Sequence, residues 1–130
     1  PKVPLTVLEI EQVLLTLLKN AAQAMAFSHD KQHHRMIIRT RQSGDWAVIE
    51  VEDNGPGMPK EVQRRIFDPF FTTKEVGVGT GLGLSVSYAI ITNNHHGRLE
   101  VRSLPGEGTC FTIMLPMHHI PVTRIPGDRP

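Results

Sequence analysis

Between Glu9 and Ala26 the apolar residues Ile10, Val13, Leu14, Leu17, Leu18, Ala21 and Met25 recur at steps of three and four, which predicts an amphipathic helix. A second, polar stripe of Glu9, Gln12, Thr16, Asn20 and Gln23 runs beside it. Taken alone, that stripe reads as a solvated helix face. The polar, histidine-rich segment from Ser28 to Arg35 predicts a loop, and Met36 to Thr40 a strand. After the turn at Ser43-Gly44-Asp45, strand character resumes from Trp46 to Asp53, with Ala47, Ile49, Val51 and Asp53 on one face and Val48, Glu50 and Glu52 on the other. The two strands predict an antiparallel hairpin.

Asn54-Gly55-Pro56-Gly57 ends that hairpin, and Pro59 can open a short helix through Phe67, since a first turn does not need its missing N–H. A glycine-dense stretch from Gly77 to Gly83 leads into a helical run with Leu82, Val86, Ala89 and Ile90 on one stripe, ending near Gly97. Leu99 to Ser103 and Cys110 to Leu115 alternate as two more strands, joined by Pro105-Gly106-Glu107-Gly108 and paired antiparallel. Beyond Pro116 no period survives, so the organisation expected is one α/β domain over residues 1–116 and a proline-punctuated linker or tail over 117–130. The fold class expected is a two-layer α/β (α+β) sandwich, helices covering one face of a mixed, mainly antiparallel sheet.

Composition narrows the partners. At 130 residues, folding would bury roughly two-thirds of the surface the unfolded chain exposes, enough for one sizeable core. Fourteen Lys and Arg against thirteen Asp and Glu leave a net charge of +1, so no strong field points to nucleic acid or to an anionic membrane. Any anion must be held locally. Cys110, the single cysteine, rules out an internal disulfide framework and reads as a buried structural residue, which suits a cytoplasmic location. No apolar run approaches the roughly 18 residues of a membrane span, so no direct membrane contact is expected of this domain, whether its parent is soluble or membrane-anchored.

Three segments carry candidate chemistry. Asp53 ends its strand facing inward, just before two glycines that permit close backbone approach to a ligand. An inward carboxylate needs a donor, which the exocyclic amine of a purine could supply; a plain turn is the competing reading. Gly77-Val78-Gly79-Thr80-Gly81-Leu82-Gly83-Leu84 opens a helix, where bare amides can hold phosphate oxygens. Neither the dinucleotide G-x-G-x-x-G spacing nor a Gly-Lys-Ser/Thr P-loop is present.

Five motifs then occur in a recognisable order: Gln12-Val13-Leu14-Leu15 with Lys19-Asn20-Ala21, Asp53-Asn54-Gly55-Pro56-Gly57, Ile66-Phe67-Asp68-Pro69-Phe70-Phe71, Gly79-Thr80-Gly81-Leu82-Gly83-Leu84, and Gly106-Glu107-Gly108-Thr109-Cys110-Phe111. In that order the chain resembles the histidine-kinase branch of the gyrase, heat-shock chaperone, histidine kinase and MutL ATPase superfamily. The Pro69 to Lys74 and Asn20 to Met25 stretches resemble nitrogen-regulation-type sensor kinases in particular. The resemblance implies a Bergerat ATP-binding fold, which here would lack an N-terminal strand because only Pro1 to Leu8 precedes the first helix. It also implies ATP and Mg2+ as cofactors, with the γ-phosphate donated to a histidine on a separate dimerisation and phosphotransfer domain of the same parent. The phosphohistidine would then serve the receiver domain of a response regulator, as in two-component signal transduction.

Residue by residue, Asn20 resembles the amide that binds the magnesium, and Asp53 the adenine reader, with Gly55 and Gly57 letting the chain pass close to the base. Lys74 is placed to meet phosphate. Asn20 and Lys74 are thereby the catalytic candidates. Gly79, Thr80, Gly81, Leu82 and Gly83 resemble the phosphate-surrounding segment, and Thr109 a residue near the adenine end. Thr16 stands where the family usually has another asparagine. Two rival functions follow: a catalytically silent nucleotide sensor, and an ATP-hydrolysing clamp. None of the seven histidines is expected to be the phosphoacceptor: Ser28-His29-Asp30 is a tempting match, but Lys31-Gln32-His33-His34-Arg35 follows it. The pairs His33-His34, His95-His96 and His118-His119 read as surface residues.

Overall fold

The computed structural model describes residues 2–26, 34–71 and 83–117, with side chains from 7 onward. It opens with α1 (Lys2–Ala26), followed by β1 (Met36–Ser43), β2 (Trp46–Asp53), α2 (Lys60–Arg65), α3 (Gly83–Ala89) with a π-helical extension over Ile90–Asn94, β3 (Arg98–Leu104) and β4 (Gly108–Pro116). The helix expected from Glu9 thus starts seven residues earlier. Pro4 does not prevent this, because the first four N–H groups of a helix have no intrahelical acceptor.

The strands form one sheet in the order β1-β2-β4-β3, and all three pairings are antiparallel. Among the described residues the sheet, expected to be mixed and mainly antiparallel, is antiparallel throughout. Register explains how the inward face is built. Val51 pairs with Phe111 and Ile49 with Ile113, while Phe111 and Ile113 pair in turn with Val101 and Leu99. Onto this face α1 lays Val13 and Leu17, and the end of the third helix adds Ile90 and Ile91, giving one core with Leu115. Ala21 and Met25 continue the buried stripe of α1 as its spacing predicts.

The opposite face is charged. Arg39 donates to Glu52 at 2.9 Å, and Arg41 lies 3.8 Å from Glu50. The guanidinium beside it holds the Glu52 carboxyl below the usual range. Val48 and Cys110 belong to this face by parity yet are buried, since the register sets Val48 between Arg41 and Met114, and Cys110 between Glu52 and Arg102. Long charged side chains cover apolar surface while their heads stay wet.

Two expectations for the third helix need correction. Val86, expected on its inward stripe, is 44% exposed and Ala89 is also exposed, whereas Ser87, Ile90 and Ile91 are buried and Leu84 packs on the core. The inward stripe is therefore Leu84, Ser87 and Ile91 with Ile90, and the widened π turn lets two successive isoleucines both point inward. His95, expected at the surface, is 5% exposed and lies 3.2 Å from Glu9, whose other oxygen accepts from the Asn94 amide at 3.0 Å. This contact pins the early part of α1 to the end of the third helix.

Candidate nucleotide site

Asp53 arrives at the end of β2 on the inward face and is 4% exposed, as its parity predicts. Its carboxylate accepts the Gly55 N–H at 2.9 Å and the Thr109 N–H from the adjoining strand. Burial pushes its pKa up, and the two amide donors only partly oppose that. A carboxylate offers about four lone-pair positions, so two amides leave capacity for a further donor.

The segment after Asp53 is tied down on both sides. A Cβ on Gly55 would lie 3.5 Å from Ala24 of α1, so the chain passes directly against that helix. Gly57 has φ +72, and an added Cβ would overlap the Leu104 carbonyl, so this position requires glycine for both conformation and space. The Gly106 N–H donates to the Pro56 carbonyl at 2.6 Å, and the Met58 N–H to Ser103 Oγ at 2.8 Å. Gln63, from α2, donates to the carbonyls of Met58 and Ser103, both at 2.9 Å. Sequence reasoning missed Ser103, Met58 and Gln63. The parity of Ser103 with Leu99 and Val101 was the available signal that it faces inward.

The polar stripe of α1 acquires meaning from its neighbours. Thr16 lies at the head of α3, its methyl 3.2 Å from where a Cβ on Gly83 would sit, while Ala24 touches Gly55. Half-buried Asn20 falls between them, one helical turn from each. From Ala24 to Thr16 the helix edge measures about 12 Å. Asp53, Gly55, Gly57 and Thr109 thus gather at one end of that edge and Gly83 at the other. Lys74, Gly79, Thr80, Gly81 and Leu82 lie outside the described residues, as does His29.

Asn20 suits a hard cation, because a carboxamide oxygen is the donor type that magnesium prefers. No group of three or more His, Cys, Asp or Glu side chains that could hold a metal occurs among the described residues. Asn20 is thus the described side chain whose chemistry fits the ion. Around Phe67 the motif that follows α2 is structural: its ring meets Tyr88 at 5.0 Å and Phe111 at 6.2 Å between centroids. Phe70, by contrast, is 72% exposed and has φ 66, and Arg65 stacks over Phe71 at 4.6 Å.

Residues 6–119 match the family described as histidine kinase-, DNA gyrase B- and HSP90-like ATPase. The signal transduction histidine-protein kinase AtoS of Escherichia coli (strain K12) is 46% identical over 110 residues, covering 84% of this chain and 17% of its own length. The sensory histidine kinase/phosphatase NtrB of Vibrio alginolyticus is 39% identical over 127 residues, covering 90% of this chain and 34% of its own. The chain thus spans 17% and 34% of the length of these two relatives. Among solved structures, the catalytic domain of histidine kinase ThkA superposes with a TM-score of 0.70 at 33% identity, over 84% of this chain and 67% of that one. The mycobacterial sensor histidine kinase MprB gives a TM-score of 0.69 at 28% identity, over 83% and 70%.

Proposed function

Because the chain belongs to the histidine kinase-, DNA gyrase B- and HSP90-like ATPase family, we propose that it binds Mg-ATP along the α1 edge and presents the γ-phosphate to a histidine elsewhere in its parent. The acceptor sits on a separate dimerisation domain, and the receiver domain of a response regulator takes the phosphate onward. The observation that carries this reading is the buried carboxylate of Asp53, which keeps accepting capacity at the mouth of a glycine-lined turn. An exocyclic amine of adenine supplies a donor for the capacity that remains beside the Gly55 and Thr109 amides.

The other roles follow the order of residues along α1. With the base at Asp53, Gly55 and Gly57, the phosphates extend past Asn20 toward Gly83. Lys74 contributes a charged donor to phosphate, and the amides of Gly79 to Gly83 surround the phosphate oxygens. Asn20 would hold a magnesium ion, whose charge would offset that of the phosphates. The residues of this chain orient the nucleotide and stabilise charge, so catalysis is mainly positioning.

Titration calorimetry tests the base assignment. Asp53→Ala should abolish ATP and ADP binding while circular dichroism stays native. GTP should bind the unmodified domain poorly, since its 6-carbonyl meets an acceptor. Equal affinity for ATP and GTP would overturn the role of Asp53.

A further inference from the structure

Three hydrogen bonds converge on the hydroxyl of Ser103, which is 7% exposed. Its oxygen lies 2.7 Å from the Gly108 carbonyl oxygen, 2.8 Å from the Met58 nitrogen and 2.9 Å from Thr109 Oγ1. A serine hydroxyl has one proton and two accepting lone pairs, so three partners leave no choice of direction. The Gly108 carbonyl can only accept, and two oxygens at 2.7 Å repel unless a proton lies between them. Ser103 therefore donates to Gly108. The Met58 N–H fills one lone pair. The remaining lone pair faces Thr109, which must surrender its own proton to it.

Thr109 is thereby left with lone pairs alone on its other sides. It stands directly opposite Asp53 in the pairing of β2 with β4, and its N–H already goes to the Asp53 carboxylate. Carboxylate oxygens and hydroxyl lone pairs thus meet at one end of the site, and of the described side chains Asp53 and Thr109 both present acceptors there.

We propose that Ser103 is a specificity-determining positioning residue, which by taking the Thr109 proton keeps the base-reading end of the site in an acceptor-only state. The proposal rests on the adenine role of Asp53. Ser103 does not touch the nucleotide; it acts through the direction of one proton. An acceptor-only wall favours a 6-amino purine, or a water donating on its behalf, and disfavours a 6-oxo purine. With Ser103 removed, the Thr109 hydroxyl can turn its proton toward the ligand and offer a 6-carbonyl the donor it lacks.

Calorimetry on the 130-residue chain with ATP and inosine triphosphate in Mg2+ tests this, because the two differ at purine position 6 and in the protonation of the adjacent nitrogen. The unmodified chain should prefer ATP, and Ser103→Ala should narrow that preference by about tenfold. In a Thr109→Val background, Ser103→Ala should leave the ATP-to-ITP ratio unchanged, which a merely structural serine would not require. Ser103→Cys, whose thiol is a weak acceptor, should move the ratio in the same direction and serves if the alanine variant does not fold. If the serine variants weaken both nucleotides by one common factor, Ser103 is only a brace for the Met58 segment and the proposal is overturned. If the unmodified chain does not distinguish ATP from ITP, the Asp53 assignment itself fails, a result separable from the first because it needs no serine variant.

Discussion

At the scale of single residues, Asp53 links affinity to pH. Burial raises its pKa, so the native state holds this proton at pH values where the unfolded chain, near 3.9, has lost it. The neutral form thus contributes stability that is lost as pH rises through the native value and complete below the unfolded one. ATP, donating to the ionised form, works in the opposite sense. Its affinity should fall as pH drops through the raised value, and saturating ATP should pull the Asp53 carboxyl titration, followed by carbon NMR, back toward acid. Asn20→Ala should weaken Mg-dependent ATP binding by about tenfold or more, and Thr16→Ala by less. Thr16→Asn should retain binding and can raise phosphotransfer to a supplied histidine domain, a comparison that calorimetry and a labelling assay make together. Loss of binding in Thr16→Asn beside normal binding in Asn20→Ala would exchange the two roles. The inward direction of Asp53 was legible because a strand has a strict period of two. The proton chain through Ser103 was not, since it depends on atoms of two other segments, Met58 and Gly108-Thr109, converging on one hydroxyl.

At the scale of elements, the strands were read well and the helices less so. Trp46–Asp53 agrees with its expected limits, whereas β1, β3 and β4 each run a residue or more further because ladder pairing extends beyond the apolar alternation. The third helix misled in phase: the 3.6-residue template also joins Leu84, Ser87 and Ile91 at steps of three and four, and it is that face, turned from Val86 and Ala89, that meets the core. His95 looked like a surface residue because its partner, Glu9, is 86 positions away. Glu9→Ala leaves a buried ring nitrogen without that partner and should lower the unfolding free energy by about 1–3 kcal/mol in urea titrations. Gly57→Ala should cost roughly 3 kcal/mol, since it imposes a positive φ and a backbone clash together, and nucleotide affinity should fall with it. A Gly57→Ala domain with unchanged urea midpoint would show that the approach to Leu104 is not required.

At the scale of the whole molecule, the chain should bind Mg-ATP and yet remain unlabelled by its γ-phosphate. Transfer needs an in-line acceptor close to phosphorus, and the effective concentration of that group vanishes when it sits on another domain. Adding the parent's dimerisation domain as a separate chain should restore labelling on that domain alone, slowly, because docking becomes bimolecular. Acid-labile, base-stable label on the 130-residue chain, lost in His29→Ala, would make it a kinase complete in itself. No helix among the described residues is long and apolar enough to cross a membrane. The contact of Glu9 with Asn94 and His95 has a mechanical side as well. It fastens the third helix to α1 at the end remote from Gly83, while Gly83 itself meets α1 at Thr16. The fastening acts as a fulcrum, and the helix from there to Gly83 is a lever arm of about 15 Å. A swing of about 5° at the fulcrum carries the Gly83 end a little over 1 Å, a displacement large enough to cost about a hundredfold in a reaction that depends on alignment. With ATP placed as proposed, a glutamate that touches neither base nor phosphate would thereby govern the aim of the phosphate end.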